Sequence, residues 1–448
     1  EMMKPNILFL VIDSFRADRF FGKNRSCKTP NIDSLVNQGV YFKNTISSSD
    51  VTGICLGNVF SGMYSFKTGL TLRNFNPNVI TLFDILKNYG YQLHATIPNL
   101  TWFNLLIKNF DDYNSFRCDN LDQDGLYDNV GDSIIEKLSS KKMTEPWLYY
   151  IHLEDLHPEI IVPTNFHDKK FGDTDYDKTI SSIDYWIGKF IEKVNLENTL
   201  IVITADHADP IPVTDDRLGS IPNIQAAMKK GKNKFPILEP MGLKLFILIR
   251  EISKIFQKQK LSKQLSSNEL RTLIPRGSKT LFEETQHIPL LFLSNKIKKS
   301  MTIENIVTGV DILPTILNLL SIKHNDPNLD GRDLTPLFDG KEIDDVPIYI
   351  ESGDTQERKT GFLIGVRTKH YKYHRARKDS NSNVCLYDMK NDPLEENNIA
   401  KQEPQIVINL EKILQDFLTT DKKITNFEIS DNEEQKIADE LKKLGYLK

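Results

Sequence analysis

The chain has 448 residues, enough for one large core with a smaller appended unit. With 39% hydrophobic and 26% charged residues it has the balance of a folded globular protein, and a formal net charge of -4 excludes nucleic-acid binding driven by whole-protein charge. Cys27, Cys55, Cys118 and Cys385 are far apart and form no C-x-x-C pair, so free thiols are expected rather than a disulfide framework or a cysteine zinc site.

The run Asn6 to Ile12 (NILFLVI) predicts a strand buried on both faces of a parallel sheet. It is too short for the core of a signal peptide and ends in Asp13, and no stretch approaches the roughly 20 apolar residues of a membrane span. A soluble, cytoplasmic chain is expected. Further strands are predicted at Gln92–Ile97, Trp147–Ile151 and Thr199–Thr204, with helices at Pro30–Gln38, Ile80–Tyr89, Val130–Ser139 and Tyr176–Val194. This alternation predicts a doubly wound α/β sheet, in which sites lie beyond the carboxyl ends of strands.

Residues from about 210 to 275 are rich in lysine (Lys229, Lys230, Lys232, Lys234, Lys254, Lys258, Lys260, Lys263) around the apolar segment Leu243–Phe256. They read as a basic helical insertion. Either its apolar side packs on the core, or residues 225–275 form a lid or a peripheral contact with membranes or acidic glycans. Past residue 345 come short strands at Val346–Ile350, Phe362–Arg367, Tyr371–Arg375 and Cys385–Tyr387, then helices at Pro404–Leu418 and Asp431–Leu444. The expected organisation is a catalytic domain over residues 1–344 and a C-terminal subdomain with a small antiparallel sheet over 345–448.

Cleavage of a phosphate or sulfate ester needs a cation for the non-bridging oxygens, a nucleophile, and donors for the leaving oxygen. Asp13 directly follows one buried strand, and Asp206 and His207 follow another, LIVITA. A strand-end Asp is often a helix cap and a lone His often structural. Together the three form a ligand set for a divalent ion. Two carboxylates, an imidazole and a hydroxyl suit zinc or manganese best, with magnesium or calcium as alternatives.

The opening PNILFLVIDSFRAD with TPNIDSLVNQGVYFKN (Thr29 to Asn44) closely resembles the sulfatase family, part of the alkaline phosphatase superfamily. The resemblance continues through TLFDILKNYGY (Thr81 to Tyr91), PWLYYIHLEDLHPE (Pro146 to Glu159), NTLIVITADHAD (Asn198 to Asp209) and KTLFEETQHIPLLF (Lys279 to Phe292). VDILPTILNLLSI (Val310 to Ile322), LDGRDLTPLF (Leu329 to Phe338), LYDMKNDPLEENNIA (Leu386 to Ala400) and the terminal LGYL complete it over nearly the whole chain. The resemblance implies that Asp13, Asp206 and His207 bind one metal ion. It further implies that His157 contacts the transferring group or leaving oxygen, and that Lys279 lies near a basic substrate contact.

The nucleophile segment departs from the family pattern, C-x-P-S-R or S-x-P-S-R, whose Cys is oxidised to formylglycine. Counting back from Ser61-Gly62 reaches Thr52, while Cys55 lacks the Pro and Arg that the oxidising machinery reads. Ser14 stands where many members have a second metal-binding Asp, and Pro98, Asn99, Leu100 and Thr101 replace the usual G-K-W-H segment. The remaining set is similar to the single-metal, Thr-nucleophile site of lipoteichoic acid synthases and phosphoethanolamine transferases. Because sulfo-threonine cannot eliminate as formylglycine hydrate does, the residues favour cleavage or transfer of a phosphate-ester group, on a glycan or lipid-linked substrate, through a covalent Thr52 intermediate. The alternative is a sulfuric ester hydrolase acting on a sulfated glycan or small molecule. A second alternative is an inactive module that binds anionic glycans.

Overall fold

The computed structural model describes residues 4–23, 25–71, 75–118, 124–140, 142–157, 160–211, 256, 259–273, 281–353, 361–419 and 431–443. The strand predicted at the start is there: β1, Asn6–Ile12, is buried at every position. Its side chains alternate between faces. Ile7, Phe9 and Val11 join one large apolar cluster, and Leu8, Leu10 and Ile12 are equally buried. The strands that follow are β2 (Val40–Ile46), β3 (Gln92–Pro98), β4 (Asp112–Phe116), β5 (Trp147–Leu153), β6 (Thr199–Thr204), β7 (His287–Leu293) and β8 (Met301–Thr308). They form one sheet in the order β4-β3-β5-β1-β6-β7-β2-β8. β4, β3, β5, β1 and β6 run parallel, and β7 runs antiparallel to both β6 and β2.

This is the doubly wound α/β sheet expected from the sequence, and it brings three chain-distant strands side by side. β5 and β6 flank β1, with Ile12 opposite Leu153 and Val11 opposite Thr204. The segments leaving the carboxyl ends of these three neighbours therefore meet at one place, although Asp13 and Asp206 are 193 positions apart in the sequence.

Helix α1, Thr52–Ser61, packs on the sheet through Leu56, Val59 and Phe60. The Phe60 ring lies 5.3 Å from Phe9, 5.2 Å from Tyr150 and 4.4 Å from Phe83. Burying one such aromatic ring contributes about 2 to 3 kcal/mol, which fixes the helix against β1 and β5. The helix ends at Gly62 in the left-handed conformation (φ 67°), where a side chain would also strike Leu329. Its start, at Thr52, is thereby held at the carboxyl edge of the sheet.

A second, antiparallel sheet has the order β12-β11-β10-β9, from β9 (Ile348–Glu351), β10 (Leu363–Arg367), β11 (Tyr371–Ala376) and β12 (Cys385–Asp388). Helix α2, Pro404–Thr419, covers it with Leu410 and Leu414 against Tyr349, Ile364, Val366 and Tyr373. A final helix α3, Asp431–Lys443, follows.

The chain divides into two compact units, one of residues 1–209, 279–393 and 397–448, the other of 210–278 with 394–396. In the second unit the helix Ser267–Thr272 carries a capping box between Ser266 and Glu269, and Arg271 Nη1 donates to the Glu395 carbonyl at 2.9 Å. The lysine-rich, apolar stretch read as a lid or membrane contact lies almost entirely outside the described residues. No helix among the described residues is long and apolar enough to cross a membrane.

Candidate active site

Asp13 leaves β1 with its amide still donating to the Leu153 carbonyl at 2.9 Å, so the β1–β5 ladder sets its position. Ser14 then turns into the left-handed region (φ 64°), unusual for a residue with a side chain. This turn aims the Ser14 amide at Asp206 Oδ1, 3.3 Å away, and lets the Ser14 hydroxyl donate to Asp13 Oδ1. Tyr176 latches the loop: its hydroxyl donates to the Ser14 carbonyl at 2.6 Å and accepts from the Arg16 amide at 3.0 Å.

Asp206 and His207 follow β6 after Ala205 alone and are sealed from solvent. Ser47 holds this turn from the other side, its hydroxyl donating to the Asp206 carbonyl at 2.7 Å. His207 Nδ1 lies 3.1 Å from the Ala208 carbonyl. A carbonyl only accepts, so Nδ1 carries the proton and the Nε2 lone pair faces the site. Nε2 is 3.5 Å from Asp206 Oδ2 and 3.4 Å from Thr52 Oγ1. The Thr52 hydroxyl donates to Asp13 Oδ2 at 3.2 Å.

One ligand atom each from Asp13, Asp206 and His207 lies within 4.8 Å of the others. Burial first, and then the neighbouring Asp13 charge, push the Asp206 carboxyl up to about 6, against the pull of His207. Asp206 Oδ2 is buried without a hydrogen-bond donor among the described residues. Two crowded carboxylates, one oxygen without a donor and one imidazole lone pair fit a divalent cation.

The cluster opens onto a cavity of about 50 Å³ lined by Asp13, Thr52, Trp102, Glu154, His157 and Glu440, among others. That volume holds about three or four waters, the scale of a small oxyanion group. Trp102 Nε1 is buried there without an acceptor. His157 is buried in this wall, on a turn in which its amide donates to the Glu154 carbonyl at 2.8 Å. Lys279 lies outside the described residues. Cys55 is one turn into α1, buried, and does not line the cavity; its sulfur is 3.1 Å from the Ser47 hydroxyl and 3.3 Å from the Ser49 carbonyl. Burial pushes its thiol well above the ordinary range, as suits an inert packed cysteine.

Three features of the site were not singled out from the sequence. Glu154 and His152 lie two residues apart at the end of β5, and with Asp13 they make a second cluster whose ligand atoms fall within 4.8 Å. The spacing in IHLEDLHPE was the available signal. The third is α3, which closes one side of the cavity. Ile437 and Leu441, an i, i+4 pair, pack with Val51, Ile54 and Leu105, and Glu440 accepts from the amide and hydroxyl of Thr101, both at 2.8 Å.

A doubly wound sheet that gathers two carboxylates, an imidazole and a hydroxyl beyond adjacent strand ends defines an α/β enzyme suited to anionic esters. The sulfatase family model matches residues 5–322, and that of the N-sulphoglucosamine sulphohydrolase C-terminal region matches residues 277–422. The chain belongs to the sulfatase family, whose members act on sulfate esters and commonly use a divalent metal ion. It is 23% identical to arylsulfatase K of Gallus gallus, over 94% of this chain and 83% of that protein, and 23% identical to arylsulfatase K of Homo sapiens, over 93% and 83%. Among solved structures it is similar to a protein in complex with its substrate D-glucosamine-2-N,6-O-disulfate (TM-score 0.66, 18% identity, 94% of this chain and 100% of that one). It is also similar to a 2-O GAG sulfatase (TM-score 0.66, 17% identity, 96% of each chain).

Proposed function

We propose that this chain is a sulfuric ester hydrolase acting on a sulfated saccharide. The observation that carries the reading is the meeting of Asp13, Asp206, His207 and the Thr52 hydroxyl, with Asp13 and Thr52 lining one cavity, on a chain of the sulfatase family. Side-chain chemistry alone put phosphate esters first. Family membership, the arylsulfatase relatives and the glycan-sulfate neighbours support sulfate esters better and reverse that order.

Asp13, Asp206 and His207 would hold the cation, which when bound supplies positive charge to the ester oxygens and to the Thr52 oxygen. Thr52 stands in the nucleophile position at the start of α1, where backbone amides favour an anionic group. Its hydroxyl gives its proton to Asp13 Oδ2, 3.2 Å away, as its oxygen attacks sulfur; the bond from sulfur to the sugar oxygen breaks, and the sugar alkoxide takes a proton from His157 or from water. Water then attacks the sulfur of the threonine sulfate, releasing sulfate and restoring the hydroxyl. Trp102 Nε1 is placed to donate to a non-bridging oxygen. Lys279 is retained as a basic substrate contact on the family resemblance.

The second reading, a phosphate ester cleaved or transferred through phospho-Thr52, is favoured by the position of Cys55, which is packed against Ser47 and is not among the cavity-lining residues. Turnover of matched aryl sulfate, aryl phosphate, phosphodiester and phosphonate esters by metal-reloaded protein separates the two. A higher kcat/KM on the sulfate, extending to sulfated glucosamines, is expected. A higher value on the phosphate or phosphodiester restores the second reading.

A further inference from the structure

We propose that a second cavity, lined by Tyr127, Asp128, Asp155, Thr164 and Asn165 among others, is a subsite for an unsulfated pyranose unit of the saccharide whose sulfate ester is cleaved. The proposal rests on the sulfated-saccharide reading above and adds the neighbouring sugar to it. The cavity measures about 400 Å³, within the usual range for small-molecule sites.

Strand ends place it. Asp155 stands two residues beyond β5. The turn Gly125–Asp128 belongs to the segment after β4, and the Asp124 amide donates to the Arg117 carbonyl at 3.0 Å, which returns the chain to the end of that strand. β4 and β5 are both parallel to β3, so the cavity lies at the carboxyl edge of the sheet, as the catalytic cluster does. One turn of chain serves both: Glu154 and His157 line the catalytic cavity, and Asp155 lines this one.

The lining groups are set by folding. Asp155 Oδ1 accepts from the Leu126 amide at 2.9 Å, and Asp128 Oδ2 accepts from the Gly125 amide at 3.0 Å. Gly125 permits this close approach, since an added Cβ there would stand 2.9 Å from Asp155 Oδ1. A carboxylate has about four acceptor positions, so both acids keep capacity for the hydroxyls of a ligand. The Tyr127 ring is held edge-on by Trp186 at 5.4 Å and by Phe166 at 5.8 Å. A fixed aromatic ring suits the C–H face of a sugar, and carboxylates, an amide and a hydroxyl suit its rim of hydroxyls.

Charge decides which sugar fits. Two acids line the cavity, and no Lys, Arg or His does so among the described residues. Burial pushes the Asp155 carboxyl up to about 6, and the charge of Asp128 adds to that rise. A sulfate group here would meet like charge without a counter-ion, whereas a hydroxyl or an amine donates to the same oxygens. The catalytic cavity therefore takes the sulfated unit and this one takes a neighbour that carries no sulfate.

The test uses the full chain, with cellobiose, lactose and the disaccharide of glucosamine as probes and binding read by saturation-transfer NMR. Transfer to at least one of them is expected in the wild type, with affinity weakened at least about tenfold in Tyr127→Ala and in Asp128→Asn. Asp128 is exposed, so its nearly isosteric substitution guards against misfolding of the first, and circular dichroism melting checks both. Excess sodium sulfate should displace the bound sugar no more than sodium chloride does at equal ionic strength. No transfer to any of the three probes, unchanged binding in either variant, or specific displacement by sulfate overturns the proposal. Aryl sulfate turnover of both variants should stay within about twofold of wild type, because a small ester does not reach this cavity. Wild-type protein that binds a probe through Tyr127 and Asp128 but prefers aryl phosphate keeps the subsite and sinks the sulfate reading. Wild-type protein that prefers aryl sulfate and binds none of the three does the reverse.

Discussion

Two groups of shielded carboxylates in the same compact unit have opposite electrostatics. At Glu283 the chain provides its own cations: Arg367 Nε from β10 lies 2.8 Å away and Lys372 Nζ from β11 lies 3.0 Å away, the latter also donating to the Leu281 carbonyl at 2.7 Å. Burial raises the Glu283 carboxyl, but Arg367 and then Lys372 outweigh it and hold it well below the ordinary range. At Asp206 burial and then the Asp13 carboxylate raise the proton affinity, and Oδ2 has no donor among the described residues. Glu283 is satisfied by folding alone and joins the second sheet to the segment before β7. Asp206 Oδ2 is left without a donor among the described residues, and a divalent cation would meet that need.

Asp206→Ala gives the largest expected effect and tests that contrast at its sharper end. Cation binding and aryl sulfate turnover fall together, the latter by about 1000-fold or more, because several kcal/mol of charge stabilisation are removed. Metal analysis and initial rates on one preparation check it, and turnover that survives loss of the ion sinks the assignment. Thr52→Ala should lower kcat by roughly 1000-fold while leaving cation affinity within about tenfold, since the carboxylates and imidazole remain. Full activity in this variant would remove Thr52 from the chemistry.

Glu283→Gln should act on stability rather than on catalysis. It leaves the fully buried Lys372 without its counter-charge and should cost about 2 to 4 kcal/mol of unfolding free energy, read from urea denaturation, with kcat/KM per folded molecule unchanged. The pH dependence has a definite sign. The folded-state pKa of Glu283 is depressed, so its contribution is complete above the unfolded glutamate value of about 4.3 and is lost as pH falls through the lower folded value. The variant's deficit should therefore shrink in acid; a deficit that grows there would contradict the pairing. Cys55→Ala should be the mildest change, costing about 1 kcal/mol by loss of a packed sulfur and leaving turnover intact. Intact mass should give residue 55 as an unmodified thiol, and formylglycine there would return the family's usual nucleophile.

The fold was legible because its signal is local. NILFLVI and TLIVIT are apolar runs of the kind expected of strands buried on both faces; the first is followed at once by Asp13 and the second, after Ala205, by Asp206. The place of Thr52 at the cavity was reachable only by counting back from Ser61-Gly62, since no feature of TGIC sets this threonine apart. β4 was missed because DYNSF is a polar, mostly exposed edge strand, and β2 because Lys43 and Asn44 interrupt its apolar pattern. His152 was hidden within a buried strand and Glu154 just past its end, where polar residues usually mean local pairing. The wall formed by α3 depends on Glu440 meeting Thr101, 339 residues away, from a helix with few apolar positions; periodicity finds such a helix but not its address.

The contrast between the two carboxylate groups is tested most directly by anomalous diffraction from crystals of the full chain loaded with Mn²⁺. A strong peak within coordination distance of Asp13, Asp206 and His207, with none at Glu283, is the expected result. Well-ordered Asp206 and His207 side chains with no anomalous peak between them, at a Mn²⁺ concentration that supports turnover, would contradict it.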